Sequence, residues 1–155
     1  ADSAAGAGVN AVINGAIAGF GFRGSESIPL SVDSIGASGV TALGNAATVA
    51  FALVLIITCI TFFVFRKGAR KSGIAPAGLN AMAFVPTGLR IAAANTLLAF
   101  GAFVALAVVW QRLAGTVEIA PVWATLVVAV IAGIATAFAE WRTKREMLAL
   151  AAGLR

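Results

Sequence analysis

The most concentrated chemical feature of the sequence is a basic run, RKGARKSG, over residues 66–73. Its four cations, within six residues, are Arg66, Lys67, Arg70 and Lys71. Such a cluster binds anionic lipid headgroups with about 1 kcal/mol per side chain, or nucleic-acid phosphates in a salt-dependent way. The run has no aromatic side chain to stack on bases, so lipid is the better-supported ligand. The simpler alternative is that the run only fixes membrane topology.

The sequence offers few side chains for catalysis or metal binding. None of its 155 residues is His or Tyr, and the single cysteine is Cys59. His is the commonest metal ligand and the usual base of a Ser or Cys triad. Ionisable residues inside the bilayer usually mark ion and proton pathways, and the interiors of the three apolar segments have none. We therefore expect no enzyme activity, no metal site and no cofactor except bound phospholipid.

Three segments have the length and composition of transmembrane helices. The chain is 61% hydrophobic and 11% charged, whereas an ordinary globular domain is about 25% charged. Residues 46–65, 89–110 and 121–141 each supply the roughly 20 apolar residues that cross a bilayer. Helices of a soluble bundle would each need a polar face, which these segments lack. We predict an all-α membrane protein with three transmembrane helices, a basic loop and linker over 66–88 and a basic tail over 142–155.

The distribution of charge predicts the orientation. Nine of the eleven basic residues lie in or beside the loop and in the tail: Arg66, Lys67, Arg70, Lys71, Arg90, Arg142, Lys144, Arg145 and Arg155. The positive-inside rule places this side in the cytoplasm of a bacterial-type inner membrane and residues 1–45 outside. Three Trp residues at segment ends fit the two interfaces. The small residue at position 1 is expected to follow a cleaved signal peptide, with simple renumbering as the alternative.

Residues 1–45 are expected to form an exported segment with an N-terminal amphipathic helix. One apolar stripe recurs at spacings of three and four: Val9, Val12, Ile13, Ile17 and Phe20. Because such a helix is marginal alone in water, it needs the membrane surface, its own bundle or a neighbouring subunit as partner. After a loop over 23–34, a second helix capped by Asp33 or Ser34 is expected to run through Ile35 to Gly44 into the first span.

Small and polar residues in the spans predict close helix packing. Strips with a four-residue repeat let transmembrane helices approach closely. The predicted packing residues are Gly101 and Ala105 in the second span and Ala129, Gly133 and Ala137 in the third. Asn95, the most polar residue of the spans, is predicted to hydrogen-bond to a neighbouring helix.

In layout, residues 1–73 resemble the major coat protein of filamentous bacteriophages. Both have a small N-terminal residue, an Ala/Gly-rich amphipathic stretch, one apolar span and a basic end, here Arg66, Lys67, Arg70 and Lys71. Residues 46–110 are similar in layout to conjugative pilins of type IV secretion systems. The resemblance implies subunits that leave the inner membrane and assemble helically into an extracellular filament. It also implies that the basic end meets a genome in the first family and phospholipid headgroups in the second.

The leading functional hypothesis is a structural, self-assembling membrane protein, a pilin-like or coat-like filament subunit. The alternative is a non-catalytic accessory subunit of a larger respiratory, photosynthetic, transport or methane-oxidising membrane complex. The expected partners are membrane lipid and further copies of the chain, or other membrane subunits, with nucleic acid the least supported. A pore-forming lysis protein fits the size and the basic tail but fits a long exported segment less well.

Overall fold

The protein is built from four long helices. The computed structural model describes residues 2–33, 39–71 and 84–152. The helices in this part of the chain are α1 (Asp2–Gly21), α2 (Ala42–Lys71), α3 (Phe84–Ala114) and α4 (Pro121–Ala151). Each contains a stretch long and apolar enough to cross a membrane. The prediction of a helical protein compatible with membrane insertion is confirmed, but four described helices rather than three meet this criterion.

Helix α4 is the centre of the bundle, and its buried face is made of small side chains. Three clusters follow one another along its length. The first joins Ala124 and Val128 to Ala42 and Ala46 of α2, the second joins Ala135 and Ala139 to Ala50 and Val54, and the third joins Met147 to Phe62 and to Ile91 of α3. Because successive clusters advance in the same direction on α2 and α4, these two helices run parallel.

Helix α1 lies along the bundle and is not separate from it. It packs antiparallel on α4, with Gly6 beside Glu140 and Gly19 beside Thr125. Its predicted apolar stripe, from Val9 to Phe20, faces outward, with side chains 49% to 73% exposed. The partner that this helix needs is therefore its own bundle. The arrangement differs from three spans with an independent amphipathic helix, because α1 buries its small-residue face and exposes its large one.

The start of α2 is set by a threonine cap. The backbone N–H of Gly44 donates to Thr41 Oγ1 at 3.2 Å, which satisfies one of the free amides of the first turn. Gly39, Val40 and Thr41 are not helical, so the predicted continuous helix from Ile35 into the first span is wrong at these three positions. The predicted cap at Ser34 lies outside the described residues.

Helix α3 begins at Phe84, five residues before the predicted start of the second span. Pro86 falls in the first turn, where its missing N–H would have had no partner in the helix. The described helices α2 and α3 therefore extend into the segment predicted as a basic loop and linker over residues 66–88. The remainder of that linker is outside the described residues.

Two short strands close one end of the bundle, which we call the strand end. Strand β1 (Ile28–Leu30) pairs antiparallel with β2 (Val117–Ile119), joining the α1–α2 connection to the α3–α4 connection. Ser27 Oγ donates to Glu118 at 2.8 Å, and the N–H of Val32 donates to Gln111 Oε1 at 3.2 Å. These contacts hold together the helix ends that lie farthest from the basic run.

Candidate functional site

The predicted polyanion contacts lie at the opposite end of the bundle, which we call the basic end. Helix α2 ends there with Arg66 half-buried and Lys67 and Lys71 exposed, and Arg70 belongs to the same helical segment. Exposed Arg90 lies near the start of α3. The end of α4 adds three cations that the sequence analysis did not single out as contacts: Arg142, Lys144 and Arg145.

Anions reduce the positive charge of the basic end only in part. Glu140 forms an ion pair with Lys144 at 3.1 Å, and its carboxylate lies over Gly6 near the start of α1. A carboxylate near a helix N-terminus interacts favourably with the helix dipole. Among the side chains that the structure describes at this end, seven cations therefore outnumber the two anions, Glu140 and Glu146.

Asn95 is the centre of a buried polar cluster that joins three helices. Its Nδ2 lies 3.5 Å from Thr58 Oγ1 of α2 and 3.2 Å from Thr143 Oγ1 of α4, and it is the donor to both. Its Oδ1 accepts a hydrogen bond from Arg142 Nε at 2.9 Å. Interhelical hydrogen bonds of this type contribute about 0.6 kcal/mol each inside membranes. The cluster therefore fixes the relative register of α2, α3 and α4.

Two other buried hydroxyls have no such role. Thr96 Oγ1 and Thr136 Oγ1 make no hydrogen bond to the described part of the chain. A buried hydroxyl without a partner carries a desolvation penalty. These threonines provide a natural contrast to Thr58 and Thr143, which have the same side chain and bond to Asn95.

Two residues of the predicted small-residue strip of α4, Ala129 and Gly133, pack against α1 of the same chain. A Cβ added to Gly15 would lie 2.9 Å from Ala129 Cβ, and one added to Gly133 would lie 3.4 Å from Ala11 Cβ. The facing pairs advance by four residues along each helix in opposite directions. Helix α1 contributes its own four-residue repeat: Ala7, Ala11, Gly15 and Gly19. The same spacing rule would have identified this repeat, but the larger apolar stripe of α1 is more conspicuous.

The other predicted packing residues face outward. Gly101 and Ala105 of α3 are exposed, as is Ala137 of α4. A Cβ added to Gly101 would meet no atom within 4 Å. The strip of α3 is therefore available to something outside the described chain, whereas Ala129 and Gly133 are covered by α1.

An apolar groove opens between α3 and α4, which touch each other much less than α2 and α4 do. It encloses about 320 Å³. Its walls include Ala99, Ala102 and Phe103 of α3 and Ile134, Ala135 and Phe138 of α4, and no polar residue is among the described lining residues.

A second pocket of about 310 Å³ follows on the same side of α4, toward the basic end. It is lined by Trp141, Arg142, Arg145, Glu146 and Ala149. The Arg145 guanidinium lies 5.6 Å from the centroid of the Trp141 ring. Sequence reasoning missed this pocket, although Arg145 follows Arg142 by three residues and Trp141 by four, spacings that make side chains neighbours on a helix.

Among residues 2–33, 39–71 and 84–152, no group of three or more Cys, Asp and Glu side chains is placed to hold a metal ion. Comparison with known proteins gives no relative from which to carry over a function: no family model, no curated protein and no solved structure matches the chain. The residues themselves are therefore the basis of the functional argument.

Proposed function

We propose that this chain is a structural, non-catalytic membrane protein that crosses the bilayer with four helices and associates with further copies through α3. The distribution of side-chain size carries the membrane part of the proposal. Most of the buried side chains are Ala or Thr, although Phe22, Phe62 and Met147 are also buried, whereas most of the large exposed apolar side chains are Val, Leu, Ile and Phe. In water, exposing apolar surface costs about 25 cal/mol per Å², whereas lipid tails are as apolar as Leu.

The tryptophans support the same placement. Trp123 and Trp141 are 18 residues apart on α4 and both are more than half exposed. At 1.5 Å per residue they are about 27 Å apart along the axis, close to the roughly 30 Å thickness of the hydrocarbon core. Trp side chains favour the two headgroup levels. With the basic end in the cytoplasm, as the positive-inside rule requires, the starts of α1 and α3 lie inside.

Cysteine labelling tests this topology. In a Cys59→Ala background, the probes are Ala5→Cys on α1, Lys67→Cys at the basic end and Gly39→Cys at the strand end, all at exposed positions. We expect an impermeant thiol reagent to label positions 5 and 67 from the cytoplasmic side and position 39 from the other side. Labelling of positions 5 and 39 from the same side would instead support three spans with an exported α1.

The self-association part rests on the outward strip of α3. Gly101 and Ala105 would let a second helix approach closely, which is how transmembrane helices associate in the absence of a hydrophobic force between them. The small residues of α1 and α4 are occupied with each other, so they are not offered to a partner in the same way. Assembly into a filament would extend this contact from copy to copy.

Gly101→Leu tests self-association through α3. Gly8→Leu is the control, because both glycines have open space around them. Single-molecule counting in vesicles is expected to show oligomers for the native chain and for Gly8→Leu, and monomers for Gly101→Leu. Oligomers that survive Gly101→Leu would refute the α3 contact. Electron microscopy of sheared cells then distinguishes a filament subunit, while native purification with other chains at fixed stoichiometry would favour the accessory-subunit alternative.

A further inference from the structure

We propose that the groove between α3 and α4 and the arginine pocket beside it form one binding site for an anionic phospholipid. The site is separate from the predicted contacts at the basic run, and the inference rests on the proposed membrane location. One acyl chain occupies the groove at Ala102 and Phe138, and the phosphate lies at Arg142 and Arg145.

Continuity along α4 is the first argument. The groove is lined by Ile134 and Phe138, and the pocket follows at Trp141 and Arg145. From Ile134 to Arg145 is 11 residues, or about 16 Å of helix. The site is therefore apolar where it faces the hydrocarbon and cationic where α4 reaches the headgroup level.

The available donors are the second argument. Arg142 uses Nε to hold Asn95, so its position is fixed while its two Nη groups make no hydrogen bond to the described part of the chain. The Arg145 guanidinium lies 5.6 Å from the centroid of the Trp141 ring, a cation–π contact that uses none of its N–H groups. Arginine can donate two parallel hydrogen bonds to a phosphate.

Charge complementarity selects the ligand. Glu146 lines the same pocket and is engaged within the protein, so two arginines and one carboxylate leave a net positive charge. A neutral lipid would match only the apolar groove, and a free phosphate would match only the cationic pocket. A helix from a second copy would bring apolar side chains to the arginines, whereas an anionic phospholipid satisfies both halves.

Trp141 provides the assay. In a Trp110→Phe, Trp123→Phe background it is the single tryptophan, and lipids brominated on the acyl chain near the carbonyl quench its fluorescence. In phosphatidylcholine vesicles, brominated phosphatidylglycerol is expected to quench at lower mole fraction than brominated phosphatidylcholine. Arg145→Gln is expected to reduce the relative affinity for phosphatidylglycerol about fivefold, which corresponds to ~1 kcal/mol per basic residue.

Matched variants separate the possible outcomes. Lys144→Gln removes one cation from the same end of α4 but outside the pocket lining and should leave the preference unchanged, while Arg145→Lys should retain most of it. Equal losses in Arg145→Gln and Lys144→Gln would mean general surface attraction and would overturn the site. Glu146→Gln is expected to strengthen the preference, and an unchanged or weaker preference in that variant would contradict the charge argument.

The groove needs its own variant. Ala102→Phe fills it from an exposed position, and Ala52→Phe on the outer face of α2 is the control. We expect only Ala102→Phe to weaken quenching by the anionic lipid. No effect of Ala102→Phe, or loss of quenching on addition of inorganic phosphate, would show that the pocket binds a phosphate without an acyl chain. Failure of the chain to enter vesicles would instead refute the proposed membrane location.

Discussion

Replacing Gly15 with Ala tests the contact that places α1 in the bundle. The added Cβ would lie 2.9 Å from Ala129 Cβ and 3.8 Å from Ala129 Cα. Carbon atoms that are not bonded prefer about 3.5–4.0 Å, so α1 must move away by roughly the difference. Ala129 cannot rotate out of the way, because its Cβ is fixed by the backbone of α4.

The expected size of the effect follows from two opposing contributions. Inserting a methyl group into a packed interface typically costs about 1–3 kcal/mol. Alanine also favours a helix over glycine by about 1 kcal/mol. Gly8→Ala gains the second contribution without the first, since nothing lies within 4 Å of its added Cβ. We therefore expect Gly15→Ala to be about 1–3 kcal/mol less stable than Gly8→Ala.

The assay is reversible unfolding in mixed micelles, with a disulfide between α1 and α4 as a local readout. For that readout Cys59 is replaced by Ala, and cysteines replace Ala11 and Gly133, which face each other across the two helices. Gly15→Ala should lower both the free energy of unfolding and the rate of cross-linking. Equal stability of Gly15→Ala and Gly8→Ala would refute the close approach of α1 and α4.

Four further changes test other parts of the fold. Asn95→Leu should lower the free energy of unfolding by about 1–2 kcal/mol, because two interhelical hydrogen bonds at about 0.6 kcal/mol each are lost and Arg142 Nε loses its acceptor. Thr96→Val removes a hydroxyl that makes no hydrogen bond to the described part of the chain, so it should be neutral or stabilising in the same unfolding assay. Thr41→Ala should cost less than about 1 kcal/mol, measured by the same method, because the N–H of Gly44 loses the Thr41 hydroxyl but keeps the backbone oxygen of Ser31 as acceptor at 3.2 Å. Ser27→Ala should change stability by less than about 1 kcal/mol, because its hydrogen bond to Glu118 is exposed; a larger loss would mean that the strand pair is essential for the fold.

The sequence predicted the helical class and the apolar segments well because hydrophobic length depends only on composition. It left the partner of α1 open among the membrane surface, its own bundle and a neighbouring subunit, because an apolar stripe has opposite meanings in two solvents. In water the stripe would be buried, and here Val12 and Phe20 face outward while Gly15 and Ala18 are covered. The decisive pattern is the small-residue repeat on the other face, which becomes informative only once lipid is assumed to be the solvent.

The polar cluster shows a different limit. Asn95 was identified because a strongly polar side chain in an apolar span needs a partner, which is a local argument. Its partners Thr58 and Thr143 could not be chosen over Thr96 or Thr136, since the choice depends on the rotation and register of three helices. The strand pair was missed for a related reason. Its two three-residue segments are far apart in the chain and too short for a periodic signal.

The position of α1 also changes the reasoning for assembly. As an exported helix in need of a partner, α1 would have been the main reason to expect a polymer. With Gly15 against Ala129, that need is met within one chain. The case for association therefore moves to α3, where Gly101 has open space around it and Ala105 is exposed. A filament or complex built from this protein should consequently be broken by Gly101→Leu at an intermolecular contact, whereas Gly15→Ala should weaken each protomer at all protein concentrations.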